Sequence, residues 1–172
     1  MESTPEIFGR LRKIEIFADF AENTAENEQI LQEICSKMVS ADFQAGDIII
    51  NEGDVGDSLY VLAEGSVQVM RNTLEKDRFA VINLSAEQNV FFGEMALISR
   101  DKRSASVVAL THCKTFIISG VDYLALCENR PVFGYKSLYR IGKRLIASLH
   151  KANNDVITLY QALVNEVEHF EK

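Results

Sequence analysis

The spacing of apolar residues divides the 172-residue chain into three parts. Within residues 1–42, two segments, 5–14 and 27–39, carry apolar residues every three or four positions, as on one face of a helix. From 43 to 119 the apolar residues stand in short runs instead, and from 120 to 172 the helical spacing returns. We therefore predict an N-terminal helical segment, a central β domain and C-terminal helices.

The central part has the pattern of an antiparallel β structure. Six runs rich in β-branched and aromatic residues are predicted as strands, at 48–50, 59–62, 67–70, 79–82, 106–110 and 115–118. Turn-forming residues separate these runs, and five of the nine glycines lie among them: Gly46, Gly53, Gly56, Gly65 and Gly93. Many short strands with regular turns are typical of a β-barrel or a β-sandwich.

The C-terminal part predicts two helices separated by a break. Ser119, with Asp122 three residues later, has the form of a capped helix start, so a helix is expected over 119–128. The Asn-Arg-Pro sequence at 129–131 ends it, because proline cannot continue a preceding helix. A long helix is then expected over 132–170.

Apolar residues in this long helix recur with the 3.5-residue period of a coiled coil. They are Leu138, Leu145, Leu149, Ala152, Val156, Leu159, Leu163 and Phe170, and the series is interrupted at Gly142 and Glu166. Two interpretations remain open. The helix either folds back on its own domain, with a break near Asn153, or forms a parallel two-stranded coiled coil with a second copy of the chain.

Residues 130–154 carry only basic charges. The six are Arg130, Lys136, Arg140, Lys143, Arg144 and Lys151, with no acidic residue between them. This pattern fits a solvated helix face, and it also fits a surface that docks an acidic partner or contacts nucleic acid weakly.

Composition narrows the class of protein. With 47% apolar and 25% charged residues, the chain resembles an ordinary soluble globular protein. No apolar run approaches the ~20 residues that span a bilayer, and residues 1–13 lack the apolar core of a signal peptide. We therefore expect a cytoplasmic protein without a membrane span. The net charge of −7 argues weakly against direct DNA binding, which usually leaves a basic footprint.

The residues that most often carry metal or catalytic chemistry are scattered. They are Cys35, Cys113, Cys127, His112, His150 and His169. None of them forms a CxxC pair or a cluster at metal-ligand spacing, and there is no P-loop, Ser-His-Asp set or pair of acids in a cleft-like context. We therefore expect neither an enzyme nor a metal site, and no cofactor.

The segment 91–107, FFGEMALISRDKRSASV, carries the clearest chemistry in the chain. Gly93 and Glu94 precede a short apolar turn, and a polar loop then leads to Arg103. Helix-start N–H groups attract negative charge, and a glycine allows a ligand to approach them closely. Arg103 can donate two parallel, charge-assisted hydrogen bonds to a phosphate. Glu94 can only accept hydrogen bonds, for example from a sugar hydroxyl. The segment therefore predicts a site for an anion that carries hydroxyl groups.

This segment resembles the phosphate-binding cassette of the cyclic nucleotide-binding domain family. The family includes kinase A regulatory subunits, cyclic-nucleotide-gated channels and catabolite activator proteins. Its pattern is Phe-Gly-Glu, an apolar residue, Ala, two apolar residues, a loop, and then Arg, a small residue and Ala. The matching positions are 92–98 and 103–105. Gly-Asp at 46–47 and a Gly-x-x-Gly-Asp turn at 53–57 extend the resemblance to roughly residues 8–150.

The resemblance implies a fold and a set of ligand contacts. The fold is α+β, mainly β: an eight-stranded, jelly-roll-like antiparallel β-barrel (a double-stranded β-helix) with N-terminal helices and a long C-terminal helix. The implied contacts are Phe92, Gly93, Glu94, Met95, Ala96, Arg103, Ser104 and Ala105. Arg103 and Ser104 are expected at the phosphate, Glu94 at the ribose 2′-hydroxyl, and the backbone groups of Gly93, Met95 and Ala96 near both. Alternatively, Arg103 forms only a salt bridge with Asp101 or Glu94.

The base is less well specified. Family members that prefer cGMP tend to have Thr after the arginine, and those that prefer cAMP have Ala or Ser. Ser104 does not decide between the two, although cAMP is favoured. A residue after the barrel covers the base in the family, and the candidates here are Tyr135, Tyr139, Arg140 and Lys143.

The predicted function is a cyclic nucleotide sensor that signals through its C-terminal helices to an effector protein. One alternative is a barrel that has lost its ligand and serves as a dimeric scaffold. Another is that the chain is a fragment of a catabolite-activator-type transcription regulator. Such regulators continue after the long helix into a helix-turn-helix domain.

Overall fold

The computed structural model describes residues 4–73, 75, 77–99 and 101–170, and it describes side chains only within 7–167. The chain forms two compact units, which divide between Ser137 and Leu138. The first unit contains the β structure and the cassette, and the second is the remainder of the C-terminal helix.

The N-terminal segment is helical, as predicted. It consists of α1 (Thr4–Leu11), a 3₁₀ helix (Glu15–Phe20) and α2 (Ala25–Lys37). The Ser-Thr-Pro-Glu sequence at 3–6 has the form of a helix start with a Ser or Thr cap, but Ser3 lies outside the described residues. Helix α2 begins after Thr24, whose hydroxyl accepts a hydrogen bond from the Asn27 N–H at 3.2 Å.

The strands form two antiparallel sheets of four strands each within the described residues. They are β1 (Val39–Phe43), β2 (Ile48–Ile50), β3 (Ser58–Glu64), β4 (Ser66–Asn72), β5 (Arg78–Ser85), β6 (Phe91–Phe92), β7 (Ser106–Ala109) and β8 (Cys113–Ser119). One sheet has the order β1-β8-β3-β6 and the other β2-β7-β4-β5. The predicted jelly-roll-like antiparallel fold is confirmed in part: the sheets are not closed into a barrel, because no ladder joins them in the part of the chain described. Strands as short as β2 and β6, at the sheet edges, cannot supply the continuous pairing that closure requires.

Two strands were not predicted from the sequence. Strand β1 starts at Val39, which the helical pattern had assigned to the preceding helix, and it pairs with β8 over 70 residues later in the chain. Strand β6 has only two residues, too few for a periodic pattern. It pairs with β3 through Tyr60↔Phe92 and Val61↔Phe91.

A hydrophobic core lies between the two sheets. Leu62 and Cys113 of the first sheet and Val67 of the second are fully buried there. Phe92 and Val107 belong to the same cluster, so the core reaches both ends of the cassette. The cassette is therefore built on the inner faces of the sandwich.

Helix α4 (Gly120–Asn129) and the start of α5 (Pro131–Phe170) follow the last strand. The predicted cap is confirmed, because the Ser119 hydroxyl accepts from the Asp122 N–H at 3.1 Å. Phe133 packs in a buried aromatic cluster, with ring centroids 6.2 Å from Phe17, 5.5 Å from Phe20 and 6.0 Å from Tyr123. The first turn of α5 is thus anchored to the N-terminal 3₁₀ helix.

Two polar contacts also join α2 to α4 and its C-terminal end. Arg130 forms a bidentate pair with Glu33, with Nε–Oε2 at 3.2 Å and Nη2–Oε1 at 2.5 Å. Hydrogen bonding from Arg130 lowers the pKa of Glu33. At the other end of α4, Lys37 Nζ lies 3.4 Å from an Asp122 carboxylate oxygen.

The second unit is one continuous helix from Leu138 through Phe170, and it passes through Asn153 without the break considered above. The leucines and the valine of the heptad series between 149 and 163 are exposed, for example Leu149 by 61%, Val156 by 64% and Leu159 by 69%, whereas Leu138 and Leu145 are half-buried. No helix in the described ranges is both long enough and apolar enough to cross a membrane.

Candidate ligand-binding site

A cavity of about 200 Å³ opens between the cassette and the inner face of the second sheet. All eight predicted site residues line it: Phe92, Gly93, Glu94, Met95, Ala96, Arg103, Ser104 and Ala105. Ile50, Val69 and Val107 supply an apolar wall, together with Phe92. The fold thus brings together residues that the sequence separates into two groups, although their contact with a ligand stays a prediction.

The first half of the cassette is a sharp turn between β6 and a short helix, α3 (Met95–Ser99). Gly93 has φ = 83°, in the left-handed region that favours glycine. A Cβ atom at this position would lie 2.8 Å from the Ser58 carbonyl oxygen and 2.8 Å from Arg103 Nη1. The glycine is therefore required both for the turn and for the close approach of Arg103.

Helix α3 buries two of its apolar residues and leaves Met95 exposed in the cavity wall. Ala96 and Leu97 are buried, whereas Met95 is 51% exposed. The Ala96 N–H, which the resemblance assigned to the ligand, donates to the Gly93 carbonyl at 3.2 Å. The Leu97 N–H donates to the Glu94 carbonyl at 3.1 Å, so both amides help to form the turn itself.

The backbone of Arg103 is fixed by the loop before β3. Its N–H donates to the Asp54 carbonyl at 2.8 Å, and its carbonyl accepts from the Gly53 N–H at 2.9 Å. These two bonds place the second half of the cassette beside the Gly-x-x-Gly-Asp turn. The glycine-rich turn therefore supports the arginine directly.

The Arg103 side chain is partly buried and oriented by backbone carbonyl groups. Nη1 donates to Gly93 at 3.3 Å and Nη2 to Ser58 at 3.1 Å. A Cβ atom on Gly56 would lie 2.5 Å from Arg103 Nε, so this glycine leaves the space that the guanidinium fills. The arginine is thus partly buried and held inside the site by backbone carbonyl groups.

The charge on Arg103 is set by burial and by its neighbours. Burial lowers the pKa of Arg103, whereas Tyr60 and Asp57 act in the opposite direction. An arginine remains protonated under such a shift, because its unperturbed pKa lies far above neutral pH. The site therefore presents a partly desolvated cation, which attracts an anion more strongly than a fully exposed one.

The polar side chains at the rim of the cavity include both acidic and basic groups. Glu94 is half-buried, whereas Ser104, Asp101 and Lys102 are exposed. Ser99, the last residue of α3, and Asp101 and Lys102 of the loop that follows it were not predicted as site residues, although they lie between the two halves of the motif. The apolar wall was also missed, because Ile50 and Val69 belong to distant strands, and only their inward alternation signals their position.

None of the four residues proposed above as covers for the base is among the described residues that line the cavity. Tyr135, at the start of α5, is 71% exposed. Tyr139, Arg140 and Lys143 belong to the second unit. The structure therefore selects none of the four.

Comparison with known proteins gives concordant results. The family model for the cyclic nucleotide-binding domain matches residues 41–130, more than half of the chain. The chain is 31% identical, over 121 residues, to potassium/sodium hyperpolarization-activated cyclic nucleotide-gated channel 4 of Oryctolagus cuniculus. That match covers 66% of this chain but only 10% of the channel.

Two solved structures share the fold. A cyclic nucleotide-binding domain from Methylobacillus flagellatus superposes with a TM-score of 0.71 at 27% identity, over 89% of this chain and 82% of that one. The cAMP-bound PfPKA-R has a TM-score of 0.59 at 28% identity, over 71% and 40% of the two chains. With the cassette, its cavity and these matches together, the chain belongs to the cyclic nucleotide-binding domain family.

Proposed function

We propose that this protein is a cyclic nucleotide sensor that prefers cAMP and transmits binding through α4. The observation that carries the proposal is the cavity of about 200 Å³ in which all eight cassette residues meet around Arg103. A guanidinium has five N–H donors, and Gly93 and Ser58 engage one nitrogen each. The other donors suit the two exocyclic oxygens of a cyclic phosphate.

The remaining residues fit the other parts of the ligand. Glu94, which lines the cavity, accepts a hydrogen bond from the ribose 2′-hydroxyl in this proposal, because a carboxylate offers only acceptors. The wall formed by Ile50, Val69 and Val107 suits the apolar faces of the sugar and the base. The preference for cAMP draws support from the cAMP-bound PfPKA-R, which has the same fold, and from Ser104, which is compatible with cAMP.

Transmission starts where α3 packs against α4. Leu97 of α3 is fully buried, and a Cβ atom on Gly120 of α4 would lie 3.4 Å from its carbonyl oxygen. A ligand that holds the cassette turn therefore favours one packing of α4 over others, which is a population shift. The effector that responds is another protein.

We propose in addition that the second unit joins two copies of the chain. Its apolar residues follow heptad spacing, and Leu149, Val156 and Leu159 are all more than 60% exposed. A seam of this kind is self-complementary, so a second copy of the same helix is the partner that fits it.

Calorimetric titration with cAMP and cGMP tests the ligand-binding proposal. The parent is expected to bind cAMP more tightly than cGMP, and Arg103→Ala to weaken cAMP binding by at least about 100-fold, because two charge-assisted hydrogen bonds are lost. Arg78→Ala, at an exposed position of β5, is the matched control and should leave the affinity unchanged. Unchanged binding by Arg103→Ala would refute the phosphate assignment. Absence of binding by the parent at millimolar nucleotide would favour the scaffold interpretation.

A further inference from the structure

Tyr60 lies directly behind the arginine of the cassette. It is a half-buried residue of β3, and it pairs with Phe92 of β6 on one side and Ile117 of β8 on the other. Its ring stacks on that of Phe92, with centroids 5.3 Å apart and an interplanar angle of 6°. Phe92 lines the cavity, whereas Tyr60 is not among the described residues that do.

The guanidinium of Arg103 lies over the same tyrosine ring. Arg103 Cζ is 5.9 Å from the ring centroid, within the range of a cation–π interaction. Ser58, two residues before Tyr60 on the same strand, accepts the Nη2 bond at 3.1 Å. Strand β3 thus supplies both a carbonyl group and an aromatic face to one side chain.

Such support matters because of the length of the arginine side chain. A side chain with several rotatable bonds loses rotamer freedom when it binds a ligand, and this loss weakens binding. Two carbonyl bonds and one aromatic face restrict the guanidinium before the ligand arrives. The flat stack on Phe92 in turn fixes the tyrosine ring, because Phe92 belongs to the core between the sheets.

We propose that Tyr60 is a positioning residue for ligand binding: its ring, held by Phe92, orients Arg103 toward the cyclic phosphate without touching the ligand. This inference rests on the proposed function, because it assumes that Arg103 binds a phosphate. The alternative is that Tyr60 only fills space beside Phe92 and contributes to stability.

A double-mutant cycle separates these two roles. Affinity for cAMP is measured by calorimetry for Tyr60→Phe and Tyr60→Leu, each in the parent and in Arg103→Ala. Tyr60→Phe keeps the aromatic face and should stay within about threefold of the parent, whereas Tyr60→Leu should lose about 3- to 30-fold, the range of a cation–π interaction. In the Arg103→Ala background, Tyr60→Leu should cause no further loss.

Thermal unfolding of the same variants provides the structural readout. Tyr60→Leu should lower the unfolding midpoint in both backgrounds, and somewhat more with Arg103 present, because the cation–π contact already exists in the free protein. Its effect on affinity should appear only with Arg103 present. An equal loss of affinity in both backgrounds, or no loss in the parent background, would overturn the positioning role and leave the proposed function intact. Failure of the parent to bind either nucleotide would overturn both.

Discussion

The amide of Gly120, the first residue of α4, donates a hydrogen bond of 2.6 Å to the carbonyl oxygen of Asp57, just before β3. The helix therefore starts on the loop that also carries Gly56, against which Arg103 packs. On its other side, Gly120 approaches the backbone of Leu97 in α3. One glycine thus lies between the cassette, its supporting loop and the helix proposed to transmit binding.

Gly120→Ala is expected to displace α4. The added methyl group would lie 2.9 Å from the Asp57 carbonyl oxygen, a backbone atom that cannot move aside easily. We expect a loss of about 1–3 kcal/mol in the free energy of unfolding, which is typical of overpacking, measured by denaturant titration. Gly9→Ala in α1, where a Cβ atom would meet no atom within 4 Å, is the control and should not destabilise. Equal stabilities of the two variants would contradict the close packing of α4.

Gly56→Ala is expected to impair binding more than folding. Its Cβ atom would lie 2.5 Å from Arg103 Nε and 2.7 Å from Nη2, so the flexible arginine must leave its position. Loss of the oriented guanidinium should weaken cAMP binding by about 10- to 100-fold in calorimetry, while the unfolding midpoint changes little. If Gly56→Ala bound cAMP as tightly as the parent, the position of the guanidinium beside Gly56 would not be required for ligand binding.

The sequence predicted the cassette well because its chemistry is local. Gly93, Glu94 and Arg103 lie within eleven consecutive positions, and the loop between them is short enough to bring both halves to one cavity. The support for Arg103 could not be predicted in the same way. Ser58 and Tyr60 are more than 40 residues away along the chain, and only the strand pairing of β3 with β6 brings them close.

The difference between local patterns and contacts over long sequence distances also explains which elements of the fold were predicted. Helices and inner strands carry a period that can be recognised in a short window. The edge strands of the first sheet, β1 and β6, are defined by their pairing with distant segments and carry no such period, so they were missed. Arg10 of α1 is a further example, because it donates to the carbonyls of Ala63 and Ala86, both at 2.6 Å, across 53 and 76 residues. No local pattern predicts such a contact.

Tyr123→Phe tests the buried polar contact that joins α4 to the start of α5. The Tyr123 hydroxyl donates to Ser137 Oγ at 2.9 Å, and the Ser137 hydroxyl donates to the Phe133 carbonyl at 2.8 Å. Removal of the phenolic group deletes its bond to Ser137 and leaves the serine satisfied by the Phe133 carbonyl. We expect a loss of about 1 kcal/mol, seen as a decrease of roughly 2–4 °C in the unfolding midpoint.

The Tyr123 ring should matter more than its hydroxyl group. Tyr123→Ala empties a fully buried position beside Phe133, so we expect a loss of about 3–5 kcal/mol. If Tyr123→Phe and Tyr123→Ala had equal effects, the hydrogen bond and not the aromatic cluster would hold the two helices together.

Glu33→Gln is expected to change how stability depends on pH. The pKa of Glu33 is lower in the folded protein than in the unfolded chain, because Arg130 donates to its carboxylate. Its contribution is therefore full above the unfolded pKa of about 4.3 and is lost as pH falls through the lower, folded pKa. The difference in unfolding midpoint between parent and Glu33→Gln should be largest near neutral pH and shrink below pH 4.

Asp122 provides an internal check on this pH profile. Its pKa is also lowered, mainly by its hydrogen bond with Ser119, and it is present in both proteins. The stability that Asp122 loses at low pH is therefore the same in the parent and in Glu33→Gln, and it cancels in the difference between their unfolding midpoints. A constant difference between parent and Glu33→Gln down to pH 3 would show that the Arg130 pair does not depend on the charge of Glu33.

Leu159→Lys tests the proposed seam of the second unit. Leu159 is 69% exposed and occupies a heptad position between Val156 and Leu163. If two copies pack along this face, a lysine there leaves a charge in the apolar seam, and the dimer should dissociate. Sedimentation at tens of micromolar is expected to give a dimer for the parent and a monomer for the variant. Gln161→Lys, off the seam, adds the same charge and should remain dimeric; a monomeric parent, or equal behaviour of the two variants, would refute the seam.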